Sequence, residues 1–191
     1  MAQQGPNPIE IYEGAVNYMR DIIAGVKSDQ FNASTPCSEW TVQALINHNI
    51  KVSQTFLGMM TGSGGVDPFD VSGPIPDEGA VAAFEGSTGA LLEAIKAPGA
   101  LEKVVKAPFG EMPGSQLIMI PFADLLIHKW DLAKATGQDS SLDSSMSDAC
   151  YALLEPMMQG MRAGGNFGSE VSIPASASIQ DKLLGITGRT P

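Results

Sequence analysis

Apolar residues recur at helical spacing along most of the chain, and the breaks between the runs are rich in glycine and proline. From Pro8 to about Lys27, Ile11, Ala15, Tyr18, Met19, Ile22 and Val26 define the inner face of a first helix. The segment FNASTPCSEW interrupts the period with Asn32, Pro36 and cap-type hydroxyls. Val42, Leu45, Ile46, Asn49, Val52, Phe56 and Met59 resume it, placing a second helix from Ser38 or Thr41 to Met60. Residues 61–79, TGSGGVDPFDVSGPIPDEG, hold no sustained period and predict a long surface connection. A connection of that length in a helical protein commonly crosses from one end of a bundle to the other, so the next helix is expected to run parallel to its predecessor.

Asp77 and Glu78 precede a third helix carrying Val81, Phe84, Leu91, Leu92 and Ile95, which Pro98 and Gly99 close. Val104, Val105 and Phe109 form a short run bounded by Pro108, Gly110, Pro113 and Gly114, so residues 103–112 read as a short irregular or β segment. A fourth helix covers Ser115 to Thr136 and ends at Gly137; Pro121 either bends it or sits in its first turn. Met146, Ala149, Cys150, Leu153, Leu154, Met157, Met158 and Met161 form the face of a fifth helix ended by Gly164-Gly165. After a short β-like stretch, Ile179 to Ile186 adds a C-terminal helix. The pattern as a whole is all-α, with the methionines read as core filling.

Composition narrows the class. A chain of 191 residues with 43% hydrophobic residues fits a single domain over 1–191. The 21 acidic residues outnumber the 11 basic ones, for a formal charge of −10, which repels phosphate backbones and argues against nucleic acid as a partner. No run approaches the roughly 18 apolar residues of a membrane span, and MAQQGPNPIE has no signal-peptide pattern, so a cytoplasmic protein without a membrane partner is expected. Cys37 and Cys150 read as reduced thiols, with Cys37 a small packed residue more readily than a reactive one.

The candidate chemistry lies on the second and fourth helices. Asp124 and His128 are four residues apart, about 40° on a helix, and they share the stripe of Leu117, Ile118, Pro121, Leu125, Leu132 and Ala135. An ionised carboxylate on an inward face must be paired, hydrogen-bonded or bound to a metal. The Asp/His pair alone is a weak motif and reads more readily as a helix-surface or buried hydrogen-bonded pair than as a metal site. His48 borders the apolar arc of the second helix, and His48 and His128 are the chain's only histidines. Two imidazoles and one carboxylate would hold a divalent metal, zinc or another first-row ion such as nickel, with a position left open as in catalytic sites. The glycine-rich pieces around Gly62 and Gly164 lack the strand and lysine of phosphate loops and read as connections. Trp130, opposite the ligand stripe, reads as packing.

At these residues the chain resembles a known family. TPCSEWTVQALINH at 35–48 and ADLLIHKWDLAKATGQD at 123–139 resemble the DinB-like metalloenzyme superfamily, in the branch related to the N-terminal domain of mycothiol-dependent maleylpyruvate isomerase; the closing DKLLGITGRTP is similar to the ends of that branch's short members. The resemblance implies a DinB-like four-helix bundle with a long crossover between helices two and three, an additional C-terminal helix, and a metal held by His48, Asp124 and His128. It departs at Asp124, where the branch carries the longer glutamate, and the chain shows no counterpart of the isomerase's C-terminal domain. The expected function is therefore a metal-dependent thiol transferase or isomerase-like enzyme. It would use a mycothiol-type thiol as cosubstrate on a small electrophilic molecule. A metal-dependent hydrolase and a non-catalytic ligand-binding or stress-response module of the same fold are the alternatives. A homodimer is open to it through any apolar face left over.

Overall fold

The computed structural model describes residues 7–37, 39–165 and 167–191, and it is helical with one two-stranded sheet. Helix α1 (Pro8–Ala24) begins on a proline whose missing N–H falls where no helical partner exists, and the Asn7 side chain accepts from the Ile9 N–H at 3.0 Å. Helix α2 (Val42–Thr61) starts on Thr41, whose hydroxyl accepts from the Ala44 N–H at 3.2 Å, and stops at Gly62 with φ 79°. Thr41 is thus the cap; Ser38, the other start the sequence allows, lies outside the described residues.

Helix α3 (Ala80–Lys96) leads to strands β1 (Val104–Ala107) and β2 (Gly110–Pro113), an antiparallel hairpin that pairs Val104 with Pro113 and Ala107 with Gly110. The helix expected from Ser115 to Thr136 is two helices, α4 (Gly114–Leu117) and α5 (Met119–Thr136). Pro121 is the third residue of α5. Having no N–H to give to the Leu117 carbonyl, it belongs in a first turn, and the ladder restarts at Ile118.

The four long helices pack in a closed circuit, α1 on α3 and α5 and α2 on the same two, around a core that includes Tyr12, Met19, Leu45, Ile46, Phe84, Leu91, Phe122 and Leu125. Burying each such side chain contributes about 1.5–3 kcal/mol, against at most about 1 kcal/mol for an exposed ion pair such as Lys96–Glu13, so apolar packing sets the arrangement. Tyr18, placed on the inner face by the sequence reading, is instead 42% exposed, and Tyr12 takes the buried position.

Helix α2 also fixes the course of the long 62–79 connection. A Cβ at Gly58 would stand 1.7 Å from the Gly64 carbonyl oxygen, so the connection lies directly on the helix there. Beyond that point α2 side chains donate to successive loop carbonyls: Thr55 Oγ1 to Val66 at 2.7 Å, Lys51 Nζ to Asp70, Asn47 Nδ2 to Val71 at 3.3 Å and Gln43 Nε2 to Gly73 at 2.7 Å. A segment without helix or strand thereby acquires a defined path.

The elements so far make up the described residues of one compact unit, Met1–Asp139; a second is Ser140–Pro191. The second unit holds α6 (Ser144–Leu154), a 3-10 turn at Glu155–Met157, α7 (Met158–Ala163) and α8 (Ile179–Ile186). The single helix expected from Met146 to Met161 is broken at Pro156, which cannot donate to the Ala152 carbonyl. The break leaves Met157 45% exposed, while Cys150, Leu154 and Met158 stay buried. Helix α8 has the predicted bounds and packs on α6; the described residues of the stretch before it form no strand, and the Val171 N–H donates to the Gly185 carbonyl at 3.0 Å. No helix among the described residues is long and apolar enough to cross a membrane.

Candidate functional site

The packing of α2 on α5 brings His48, Asp124 and His128 together. His48 Nε2 lies 3.4 Å from Asp124 Oδ2, and His128 Nε2 lies 3.4 Å from Asp124 Oδ1. The imidazoles meet edge to face with centroids 5.0 Å apart, and one ligand-type atom from each residue falls within 4.8 Å of the other two. Both histidines are buried and Asp124 is half-buried. These contacts are longer than the roughly 2.7–2.9 Å of a charge-assisted hydrogen bond, and Asp124 Oδ2, shut from solvent, makes no hydrogen bond.

His48 Nε2 also lies 3.5 Å from Asp124 Oδ1, and the remaining ring nitrogens set the character of these long contacts. His48 Nδ1 sits 2.8 Å from the Pro68 carbonyl, which can only accept, so Nδ1 carries a hydrogen and, in the neutral form of the ring, Nε2 would turn a lone pair toward Asp124. His128 Nδ1 likewise donates to Asp131 Oδ2 at 2.9 Å. Two lone pairs and a carboxylate then face one space. Such a set is repulsive unless a cation, a proton or a metal, lies among them.

Asp131 is fully buried and accepts a second bond, from Cys37 Sγ at 3.1 Å, while Cys37 Sγ is 3.6 Å from His128 Nδ1. Cys37, His128 and Asp131 form a second group of metal-ligand type, but its atoms already satisfy one another at hydrogen-bond distance, which marks it as support for the His128 ring. Both cysteines remain thiols. Around His48 the Trp40 ring stands at 4.6 Å and the Phe69 ring at 5.8 Å; Trp40 also reaches His128 at 6.0 Å. Trp130 is buried, with the Lys134 ammonium 5.1 Å from its ring.

Electrostatics follow the geometry. Burial pushes the Asp124 carboxyl up, but the charges and hydrogen bonds of His128 and His48 outweigh it and hold the group well below the usual carboxylate range. Burial pushes His128 down, but the Asp124 charge and contacts with Asp124, Asp131 and Cys37 outweigh that and raise it well above 6.5. Tyr12 is raised by burial, and the Asp124 charge adds to the effect.

A pH dependence follows for the metal-free protein. The contribution of His128 is full below its ordinary value of 6.5 and is lost as pH rises through its raised folded value. That of Asp124 is present above its ordinary 3.8 and is lost as pH falls through its depressed folded value. Chemical denaturation of metal-free protein across this range is expected to show stability falling on the alkaline side of neutrality, and a His128→Gln variant is expected to flatten that fall.

All three residues expected from the sequence are thus brought together. Asp131, Cys37 and Trp40 are additions. Asp131 was detectable, since it lies seven residues after Asp124 and about 20° from it around the helix, a third polar side chain on the same stripe. Cys37 and Trp40 are joined to α5 by tertiary structure alone.

Residues 12–133 match the family model described as the mycothiol maleylpyruvate isomerase N-terminal domain. The chain belongs to that family. Uncharacterized proteins from two strains of Mycobacterium tuberculosis are 32% identical to it over 188 residues, covering 96% of this chain and 98% of theirs. A crystal structure of the mycothiol-dependent maleylpyruvate isomerase matches with a TM-score of 0.63 at 16% identity, covering 96% of this chain and 79% of the isomerase. A histidine-to-alanine mutant of the isomerase matches at 0.58 and 12% identity over the same shares. The fold is therefore the all-α, DinB-like fold of this isomerase N-terminal domain family, with its small strand segment at the β1–β2 hairpin.

Proposed function

We propose that the chain is a divalent-metal-dependent enzyme of thiol chemistry, in which His48 Nε2, Asp124 and His128 Nε2 hold the metal. The observation that carries the reading is the pair of histidines whose Nδ1 atoms are committed to Pro68 and Asp131, so that both Nε2 atoms converge on a carboxylate with an unbonded, buried oxygen. Metal-ligating histidines ordinarily show this commitment of the second nitrogen to a carbonyl or carboxylate. Two nitrogens and one oxygen suit zinc or another first-row ion and leave a coordination position for a small molecule. A metal there would lower the pKa of a thiol or water in that position.

Membership of the isomerase N-terminal domain family supports a thiol-dependent, isomerase-like role, with a mycothiol-type thiol as cosubstrate and a small electrophile as substrate. The chain's own residues supply positioning. The Pro68 carbonyl and the Asp131 carboxylate fix the two ring planes, and Trp40 covers one side of His48. Asp124 is one methylene shorter than glutamate but stands 3.4 Å from both Nε2 atoms, so its reach matches the gap that α2 and α5 leave.

Elemental analysis of purified protein, together with conjugation of a small electrophile by mycothiol, tests the reading. About one equivalent of zinc or a similar ion and turnover abolished by chelation are expected. Protein that takes up no metal and shows no thiol-dependent turnover would overturn it.

A further inference from the structure

The 62–79 connection does more than join two helices. We propose that it is a built wall of the site, whose Phe69 ring determines specificity by gripping a flat, uncharged apolar group on the substrate. The inference rests on the metal reading above and names the substrate class that reading leaves open.

Phe69 is 65% exposed. An exposed aromatic ring is by itself unremarkable on a protein surface. This one is unusual in how firmly its backbone is held. The carbonyl before it, Pro68, accepts from His48 Nδ1 at 2.8 Å, and the carbonyl after it, Asp70, accepts from Lys51 Nζ. Its own N–H donates to Asp67 Oδ1 at 2.9 Å, and Thr55 and Asn47 anchor Val66 and Val71 on either side. Backbone held this way has little conformational freedom left to lose when a ligand packs on the ring.

The ring also has a place in the site. Phe69 lies 5.8 Å from the His48 imidazole, tilted by 38°, and Trp40 lies 4.6 Å from the same imidazole. Both distances fall in the range over which aromatic groups attract one another. Phe69 and Trp40 thus line the His48 imidazole and stand within reach of a molecule bound beside that ring. Asp67 and Asp70 flank Phe69, and Lys51 is paired with the Asp70 carboxylate at 3.1 Å, so the surroundings favour an uncharged group over a carboxylate.

The test uses two metal-binding probes that differ only in a phenyl group, benzohydroxamate and acetohydroxamate, titrated calorimetrically into zinc-loaded protein. Benzohydroxamate is expected to bind more tightly by roughly three- to tenfold, the range of an aromatic contact. Phe69→Ala should remove that advantage while leaving acetohydroxamate within about twofold, and Phe69→Leu should fall between. Equal affinity for the two probes, or a Phe69→Ala variant that weakens neither or both alike, would overturn the wall while leaving the metal reading intact. If neither probe binds, the metal reading has failed and this inference falls with it.

Discussion

If the proposed site holds zinc, His48→Ala and His128→Ala are each expected to lose it by more than the roughly 10- to 100-fold that removing an outer partner of a metal ligand costs, because each deletes one of the three proposed donors. The two should differ in stability. His48 faces a loop carbonyl and two aromatic rings, so its removal opens a space but leaves no buried charge without a partner. Removing His128 takes from the fully buried Asp131 carboxylate a hydrogen bond of 2.9 Å. Breaking a buried ionic contact on one side costs about 3–5 kcal/mol, and the Cys37 thiol offsets part of that. Competition with a chromogenic chelator gives the affinities and urea denaturation the stabilities. Zinc binding unchanged in both variants would place any metal elsewhere.

Asp131→Asn should weaken zinc binding by roughly 10- to 100-fold without removing a ligand. The amide oxygen can still accept from His128 Nδ1, but the charge that orients the ring and raises its basicity is gone. Asp131→Leu should go further, leaving the His128 Nδ1–H in an apolar setting at a cost of about 1–3 kcal/mol. A Cys37→Ser control retains a donor toward Asp131 and should keep most of the affinity. Zinc titration and thermal unfolding of the three variants check the set; an Asp131→Asn protein with unaltered affinity would reduce Asp131 to a packing role.

The three facing residues were legible because a helix converts sequence spacing into direction, so His48, Asp124 and His128 could be placed inward before any contact was known. The resemblance of the segments around them to a family then favoured a metal over a hydrogen bond. What sequence could not supply was the pairing of elements distant along the chain. Cys37 reaches Asp131 across 94 positions, and nothing in TPCSEW announces that contact. Tyr18 was misplaced because a short apolar list fitted two neighbouring stripes, and packing chose the one through Tyr12. The apolar period continues through Pro156 and so predicts one helix there, although the missing N–H ends the helix regardless of period.

The bonds that hold the 62–79 connection have a direction. Each anchor from α2 is a side-chain donor, and each acceptor is a loop carbonyl, so the loop's amide hydrogens are not what is being used. Position and exchange protection are therefore partly separated in this segment: the Phe69, Val71 and Ser72 amides bond within the loop, while amides outside such bonds can trade hydrogen with solvent quickly although the path stays fixed. Because the anchors are turns of the helix that also carries His48, side-chain changes between Val66 and Gly73 that leave the Pro68 carbonyl in place can reshape the wall without moving the imidazole. A change in what the wall accepts would then leave the grouping of His48, Asp124 and His128 intact.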